Sequence, residues 1–393
     1  MKIFATCLIA AALLAAPYPS GAAELPALPK SPVAINVIDV AGQLALMQKA
    51  IEAYRKAHPE LVSRFTFTKA PAPELPGKLK AMQDAGRVDI DLVLSGTDAV
   101  SAGIEQKLWL KILPDYAAKF PGLMESYLPG ADDMQKPTDG YAIENVYTPS
   151  GPLLEYAPER VKDVPKTTDA LLAWCKAHPN RFFYARPANS GPGRTFLQAL
   201  PYLLGDSNPH DPVNGWAKTW AYLKELNGCI EYYPSGTGAT MKELGEGSRD
   251  IIASTIGWDI NPRALNTVPK SAETTVLGGP GGFHWVSDAQ YMAIPKGVPA
   301  EKLAVVLDLI AFVLKPEQQA FAYDDGYFYP GPAMKGVGLS LAPKESQDML
   351  KEFGRPGYDE LIKKYPIVPP LFGNDLVTAF HKWDEEVGAS KMK

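Results

Sequence analysis

Apolar and polar positions follow one repeating order over the first hundred residues. Residues 33–40 read as a strand running into Ala41-Gly42, and 43–57 as a helix with Leu44, Met47, Ile51 and Tyr54 at helical spacing. Pro59 follows the end of that helix. A second strand is predicted over 61–68, a helix over 75–85 closed by Gly86, and a third strand over 88–94. Three strand–helix alternations predict a largely parallel sheet in an α/β fold.

The order returns in the middle of the chain. The stretch 231–259, EYYPSGTGATMKELGEGSRDIIASTIGWD, opens with a β-type run of Ile230, Tyr232 and Tyr233. It breaks at Pro234-Ser235-Gly236-Thr237-Gly238, continues as a helix over 239–244, and ends in a strand over 250–255. Strand, glycine turn, helix and strand make one βαβ unit. Before it lie two β-like stretches over 141–156, a helix over 168–177 and a strand over 181–185. That strand ends in the turn Asn189-Ser190-Gly191-Pro192-Gly193, and helices over 196–204 and 216–226 follow. After the unit come a glycine-rich loop over 276–285, a strand over 289–294, and a helix over 300–314 whose Leu303, Val306, Leu307 and Ile310 form one stripe. Pro316 starts a further helix that ends at Gly326, and the remainder is largely helical.

Two strand ends carry candidate binding chemistry. Ligands of open α/β sheets sit at the carboxyl ends of the strands, beside helix N-termini. Ser235-Gly236-Thr237 offers capping hydroxyls and glycines that let a ligand approach free backbone N–H groups; Trp258-Asp259 adds an aromatic face beside a carboxylate. Thr97 and Asp98 form a turn of the same kind at the end of the third strand. Each has a bland alternative: Thr237 and Thr97 as plain helix caps, Trp258 as core.

Composition narrows the compartment. The chain has 393 residues, 46% hydrophobic and 21% charged, enough for two domains of ordinary size. Lys2, the apolar run 3–16 and the small residues Gly21 and Ala23 read as a cleavable secretory signal peptide over residues 1–23, which predicts a periplasmic protein. The apolar run is too short to span a bilayer. Removing it takes away one cation and leaves 38 basic against 44 acidic residues, a balance of −6. A mildly acidic surface argues against nucleic acid and anionic membrane as partners. Cys175 and Cys229 remain, and an exported protein with two cysteines suggests one disulfide, with two buried free thiols as the alternative.

Several stretches resemble extracellular solute-binding proteins (family 1) of bacterial ABC importers, the group that includes maltose-, spermidine/putrescine-, thiamine- and ferric-ion-binding proteins. The resemblance rests on DLVLSGTD at 91–98, on LLEYAPE at 153–159 with VPKTTDALL at 164–172, and on MAIPKG at 292–297 leading into the Leu303 helix and KPEQQ at 315–319. It covers most of the chain beyond the signal peptide. In the second stretch Ala157 and Thr168 stand where the family usually has Asn and Trp. The resemblance implies a two-lobed periplasmic-binding-protein (type II) fold with three interlobe crossings, a cleft closed by a hinge, and a C-terminal helical segment. The crossings are expected near Tyr141, near 285–288 and near 327–332. Lobe 1 is then 24–141 plus 289–328, and lobe 2 is 142–288 plus 329–393. It also implies a monomer that does no chemistry, needs no cofactor and hands a small solute to a membrane permease.

The expected cleft lining is Thr97 and Asp98 from lobe 1, with Tyr147, Asn189, Ser190, Ser235, Gly236, Thr237, Trp258 and Asp259 from lobe 2. Trp285, Asp288, Tyr327 and Tyr329 join it from the crossings. Carboxylates with aromatics suit an organic cation, and a polyamine is the first expectation. Helix N-termini suit an anion, and sugars stack on aromatics, so an organic anion and a sugar stay open. Ferric ion is the weakest of the four. The Tyr232-Tyr233 pair resembles the adjacent tyrosines of ferric-ion binders, but on a strand its side chains point to opposite faces. No metal is expected, because the five histidines show no ligand spacing. A secreted hydrolase is the remote alternative; the chain has no G-x-S-x-G and no P-loop.

Overall fold

A computed structural model describes residues 23–326, 331–389 and 391. The expected signal peptide, up to residue 22, lies outside them, as do Tyr327 and Tyr329. In chain order the first elements are β1 (Val33–Asp39), α1 (Leu44–Ala57), β2 (Val62–Lys69), α2 (Leu75–Asp84), β3 (Leu92–Gly96) and α3 (Thr97–Glu105). Strands β2, β1 and β3 lie side by side and parallel. Every residue of β3 is buried, as a parallel strand covered on both faces requires. Helix α1 turns Met47, Ala50, Ile51 and Tyr54 onto the sheet and keeps Arg55 and Lys56 in its last turn, where cations suit the helix dipole.

Next come α4 (Leu123–Ser126), α5 (Pro129–Gln135), β4 (Ala142–Gly151), β5 (Leu153–Tyr156), α6 (Thr168–Ala177), β6 (Phe182–Phe183), α7 (Gly191–Leu204) and α8 (Ala217–Asn227). They are followed by α9 (Thr237–Glu246), β7 (Ile251–Ser254), α10 (Ile260–Ala264), β8 (Glu273–Val276) and β9 (Trp285–Ala293). A second sheet has the order β6-β7-β5-β8. The expected strand over 230–233 is absent from it. The parallel neighbour of β7 is β6, and the Tyr233 N–H instead donates to the Lys391 carbonyl while its ring packs on Tyr184 and Trp383. A disulfide joins Cys175 at the end of α6 to Cys229 beyond α8.

The tail supplies α11 (Ala300–Val313), α12 (Pro316–Gln319), α13 (Lys344–Phe353), α14 (Tyr358–Lys364), β10 (Ile367–Val368) and α15 (Gly373–Trp383). The buried apolar side chains form two cores, one around each sheet. Strands β4 and β9 connect them, paired antiparallel from Ala142–Ala293 to Gly151–Val286. Ala142, Ile143 and Tyr147 pack in the first core, Leu153 in the second; Ala289 and Tyr291 pack in the first, Trp285 and Val286 in the second. The third passage falls later than the sequence suggests. Ala333, Met334, Val337, Leu350 and Phe353 still pack in the first core, and Tyr358 is the first of the tail's buried side chains to join the second. The described residues of the stretch expected in lobe 2 after residue 330 are therefore divided between the two cores, because the apolar face of α13 turns toward the first. Helix α15 closes the back, packed in the second core and donating the Gly373 N–H to Ser101 on α3.

Candidate functional site

Both sheets direct the carboxyl ends of their parallel strands at one cleft of about 490 Å³. The first lobe contributes the ends of β1 and β2, with Asp39 and Lys69, and the end of β3, with Gly96 and Asp98. The second contributes Asn189, Ser190 and Arg194 around the start of α7, Ser235, Thr237 and Gly238 at the start of α9, and Thr255 and Trp258 after β7. Asp288 and Gln290 reach it from the crossing strand β9. A helix that precedes or follows a parallel strand has its N-terminus at the strand's carboxyl end, so four helix N-termini converge here.

Three of the four are occupied from within. Asp39 takes the N–H groups of Ala41 and Gln43 at 3.0 Å and that of Leu44 at 3.0 Å, capping α1. Asp98 accepts from the Ala99 N–H at 2.8 Å at the start of α3. Ser190 caps α7 by accepting from Gly193 at 3.2 Å, and its hydroxyl meets the Thr237 hydroxyl at 2.7 Å. The fourth is open. Gly236 stands at the N-cap of α9 with no side-chain cap, and a Cβ added at Gly236 or Gly238 would meet only open space. The free N–H groups of a first helical turn carry partial positive charge.

Arg194 lies across the floor. Its Nη1 donates to Asp98 Oδ2 at 3.1 Å, and its Nη2 to the two Asp288 oxygens at 3.1 and 2.9 Å. Arg194 is only 8% exposed. Burial works against its charge, but Asp288 and then Asp98 outweigh burial and hold the guanidinium pKa above its ordinary value. Burial likewise pushes the Asp98 carboxyl above its usual range, with Arg194 offsetting part of the rise. Polar groups that line the cleft are unused among the described residues: Gln290, 8% exposed, has no partner for Oε1, Asn189 has none for Oδ1, and Thr255, 4% exposed, makes no side-chain hydrogen bond. Lys69 is exposed at the mouth and makes no ion pair among the described residues.

Of the residues expected from the sequence, Asp98, Asn189, Ser190, Ser235, Thr237, Trp258 and Asp288 line the cleft, and Gly236 caps the helix beside it. Four do not line it. Thr97 is fully buried at the start of α3. Tyr147 packs in the first core with its hydroxyl 3.4 Å from Ser287. Trp285 packs edge-on against Phe283 in the second core and donates Nε1 to Leu361. Asp259 is consumed by ion pairs with Arg263 and Arg355. The Tyr232-Tyr233 pair is also elsewhere, since Tyr232 bonds Glu243 and Tyr233 lies in the second core. Sequence reasoning missed Asp39, Lys69, Arg194, Thr255 and Gln290. Asp39 was findable, because it ends a strand just before a glycine and a helix, the same form as the Asp98 turn. Arg194 gave no signal, since helical spacing does not reveal a buried arginine whose partners come from residues almost a hundred positions away.

The sequence profile of the bacterial extracellular solute-binding proteins matches residues 49–351. This chain belongs to that family. Among solved structures the protein is similar to the periplasmic binding protein P5PA, with 17% identity over 90% of this chain and 99% of that one and a TM-score of 0.64. It is similar to AfuA from Actinobacillus pleuropneumoniae, solved with fructose-6-phosphate, at 17% identity over 90% and 98% and a TM-score of 0.61. It is also similar to the spermidine/putrescine transporter substrate-binding protein PotD from Streptococcus pneumoniae, at 13% identity over 90% and 99% and a TM-score of 0.59. At these identities the likeness shows the fold: two α/β lobes, as in periplasmic binding proteins. The curated proteins contain no match. No helix among the described residues is long and apolar enough to cross a membrane.

Proposed function

We propose that this protein captures a small, hydroxylated solute bearing a carboxylate or phosphate in the cleft between its lobes and presents it to the permease of an ABC importer. One observation carries the ligand class. The two cleft carboxylates outside the α1 cap are already bound by Arg194, while the N-terminus of α9 is open. Lys69 adds a cation at the mouth with no ion-pair partner among the described residues, the Thr255 hydroxyl can donate to an anionic oxygen, and Gln290 Oε1 can accept from a solute hydroxyl. The half-buried Trp258 offers a face for the solute body. AfuA, solved with a sugar phosphate, shares this fold.

The second reading is an organic cation such as a polyamine. Asp98, Asp288 and Trp258 favour it, and PotD shares the fold as well. It requires Arg194 to give up its carboxylates. A thermal-shift screen of the purified protein against sugar phosphates, organic acids, neutral sugars, polyamines and ferric ion separates the readings. A ligand that binds only the folded state stabilises it by about 2.7 kcal/mol at a hundred times its dissociation constant. A selective rise with acids or sugar phosphates is expected. A rise with polyamines alone replaces the proposal by the second reading, and no rise with any class sinks both.

A further inference from the structure

The three groups on the cleft floor come from three separate parts of the molecule. Asp98 begins α3 in the first lobe, Arg194 lies in the first turns of α7 in the second, and Asp288 sits on β9 as it crosses between them. Space is kept for them. A Cβ on Gly96 would stand 2.9 Å from Asp98 Oδ1 and 3.7 Å from Arg194 Nη2; one on Gly191 would stand 3.3 Å from Asp288 Oδ2. A cation held between two carboxylates, in a cleft with an indole, is the arrangement an organic ammonium ligand would take. Here the cation is the protein's own.

We propose that Arg194 is a tethered counter-ion that sets the charge specificity of the cleft: it bars organic cations, and it fastens the two lobes together while no solute is bound. A guanidinium stays charged at any working pH and fits carboxylates in a planar fork, so it is not displaced by titration. Tethering gives it an effective concentration on the order of millimolar or more, so against a guanidinium whose own affinity for the carboxylate pair is micromolar a free cation binds roughly a thousandfold more weakly. Arg194 is therefore a specificity-determining residue that acts through Asp98 and Asp288. The assignment rests on the interlobe cleft being the solute site.

Isothermal titration of Arg194→Met with putrescine and spermidine tests it, with small-angle scattering of the solute-free protein alongside. The native protein is expected to bind neither amine at millimolar concentration, and Arg194→Met to bind at least one of them about a hundredfold more tightly than that limit, roughly two tenfold steps in Kd. The solute-free radius of gyration should rise in the variant as the lobes part. Arg194→Met leaves two buried carboxylates unpaired and can fail to fold, so Arg194→Met with Asp288→Asn is the companion; with one carboxylate left it should gain about tenfold. Native protein that binds putrescine as tightly as the variant overturns the proposal, as does a folded variant, judged by circular dichroism, with no gain. An unchanged radius of gyration overturns the fastening role. The cleft assignment is read separately, from whether Trp258→Ala weakens the solute found in the screen.

Discussion

Asp98 and Asp259 each follow a strand end and each meet arginine, yet they make opposite kinds of cluster. Asp259 is 0% exposed and fully matched: Arg263 Nη2 reaches it at 3.0 Å, Arg355 Nε at 2.7 Å, and the Tyr358 hydroxyl donates at 2.7 Å. Arg355 goes on to Glu273 at 2.8 Å, so the cluster ties the tail between α13 and α14 to the second sheet. The cleft cluster has the reverse stoichiometry, with two carboxylates sharing one guanidinium, and it borders a cavity of about 490 Å³. A saturated cluster has no capacity left for a ligand and serves to hold elements together. An unsaturated one, placed where two lobes and a crossing strand meet, responds to any charge that enters.

The largest effect should come from breaking the saturated cluster. Asp259→Ala leaves the buried Arg263 without a counter-charge and Arg355 with Glu273 alone, and is expected to cost on the order of 3–5 kcal/mol of stability. Calorimetric melting reads it, and solute affinity of the protein that remains folded should be unaltered. A melting temperature equal to the native one would mean that Asp259 fastens nothing. The same cluster predicts a pH dependence. Burial first, and then the Asp259 charge, push the Glu155 carboxyl up to about 8, with Ser254, Arg355 and Arg263 offsetting part of the rise. The folded state therefore holds a proton that the unfolded chain releases near its ordinary value. The stability from Glu155 is complete below that ordinary value and falls as pH rises, by on the order of 1 kcal/mol per unit, until it is gone above pH 8. Glu155→Gln should flatten the slope of melting temperature against pH between 5 and 8, and an unchanged slope would assign it to another group.

The sequence was informative where periodicity and turn chemistry act locally. Helix α11 and the β1–α1 and β3–α3 turns could be read because their apolar spacing and glycines are set by neighbours a few residues away. The strand expected at Tyr232-Tyr233 failed because Lys391, far along the chain, takes the backbone of Tyr233 and Trp383 takes its ring. Trp285 and Trp258 look alike in a sequence, but only the fold turns one into the second core and the other into the cleft. The pairing of Arg194 with Asp98 spans 96 residues and belongs to tertiary structure alone.

On the cleft side, Trp258→Ala should remove contact area at the solute and weaken binding by on the order of 2 kcal/mol, about thirtyfold in Kd, with little loss of melting temperature. That contrast with Asp259, its neighbour in sequence, is the sharpest available between a residue serving the solute and one serving the fold. Titration of both variants with the same solute reads it, and an equal loss of affinity in the two would erase the distinction.

The smallest effect is expected at Lys69, and its sign carries the information. The side chain is exposed at the mouth of the cleft, so its interaction with a bound charge is screened and amounts to less than about 1 kcal/mol. For an anionic solute Lys69→Ala should weaken binding a few-fold in low salt, and the difference should shrink toward physiological ionic strength, where the Debye length is about 8 Å. For a cationic solute the same change removes a repulsion and should tighten binding. Arg194 is neutralised by its two aspartates, but Lys69 has no ion-pair partner among the described residues to hide the outcome, so it reports the charge of the solute directly. Titrations at two salt concentrations separate this electrostatic effect from loss of the lysine's apolar stem, which salt leaves unchanged.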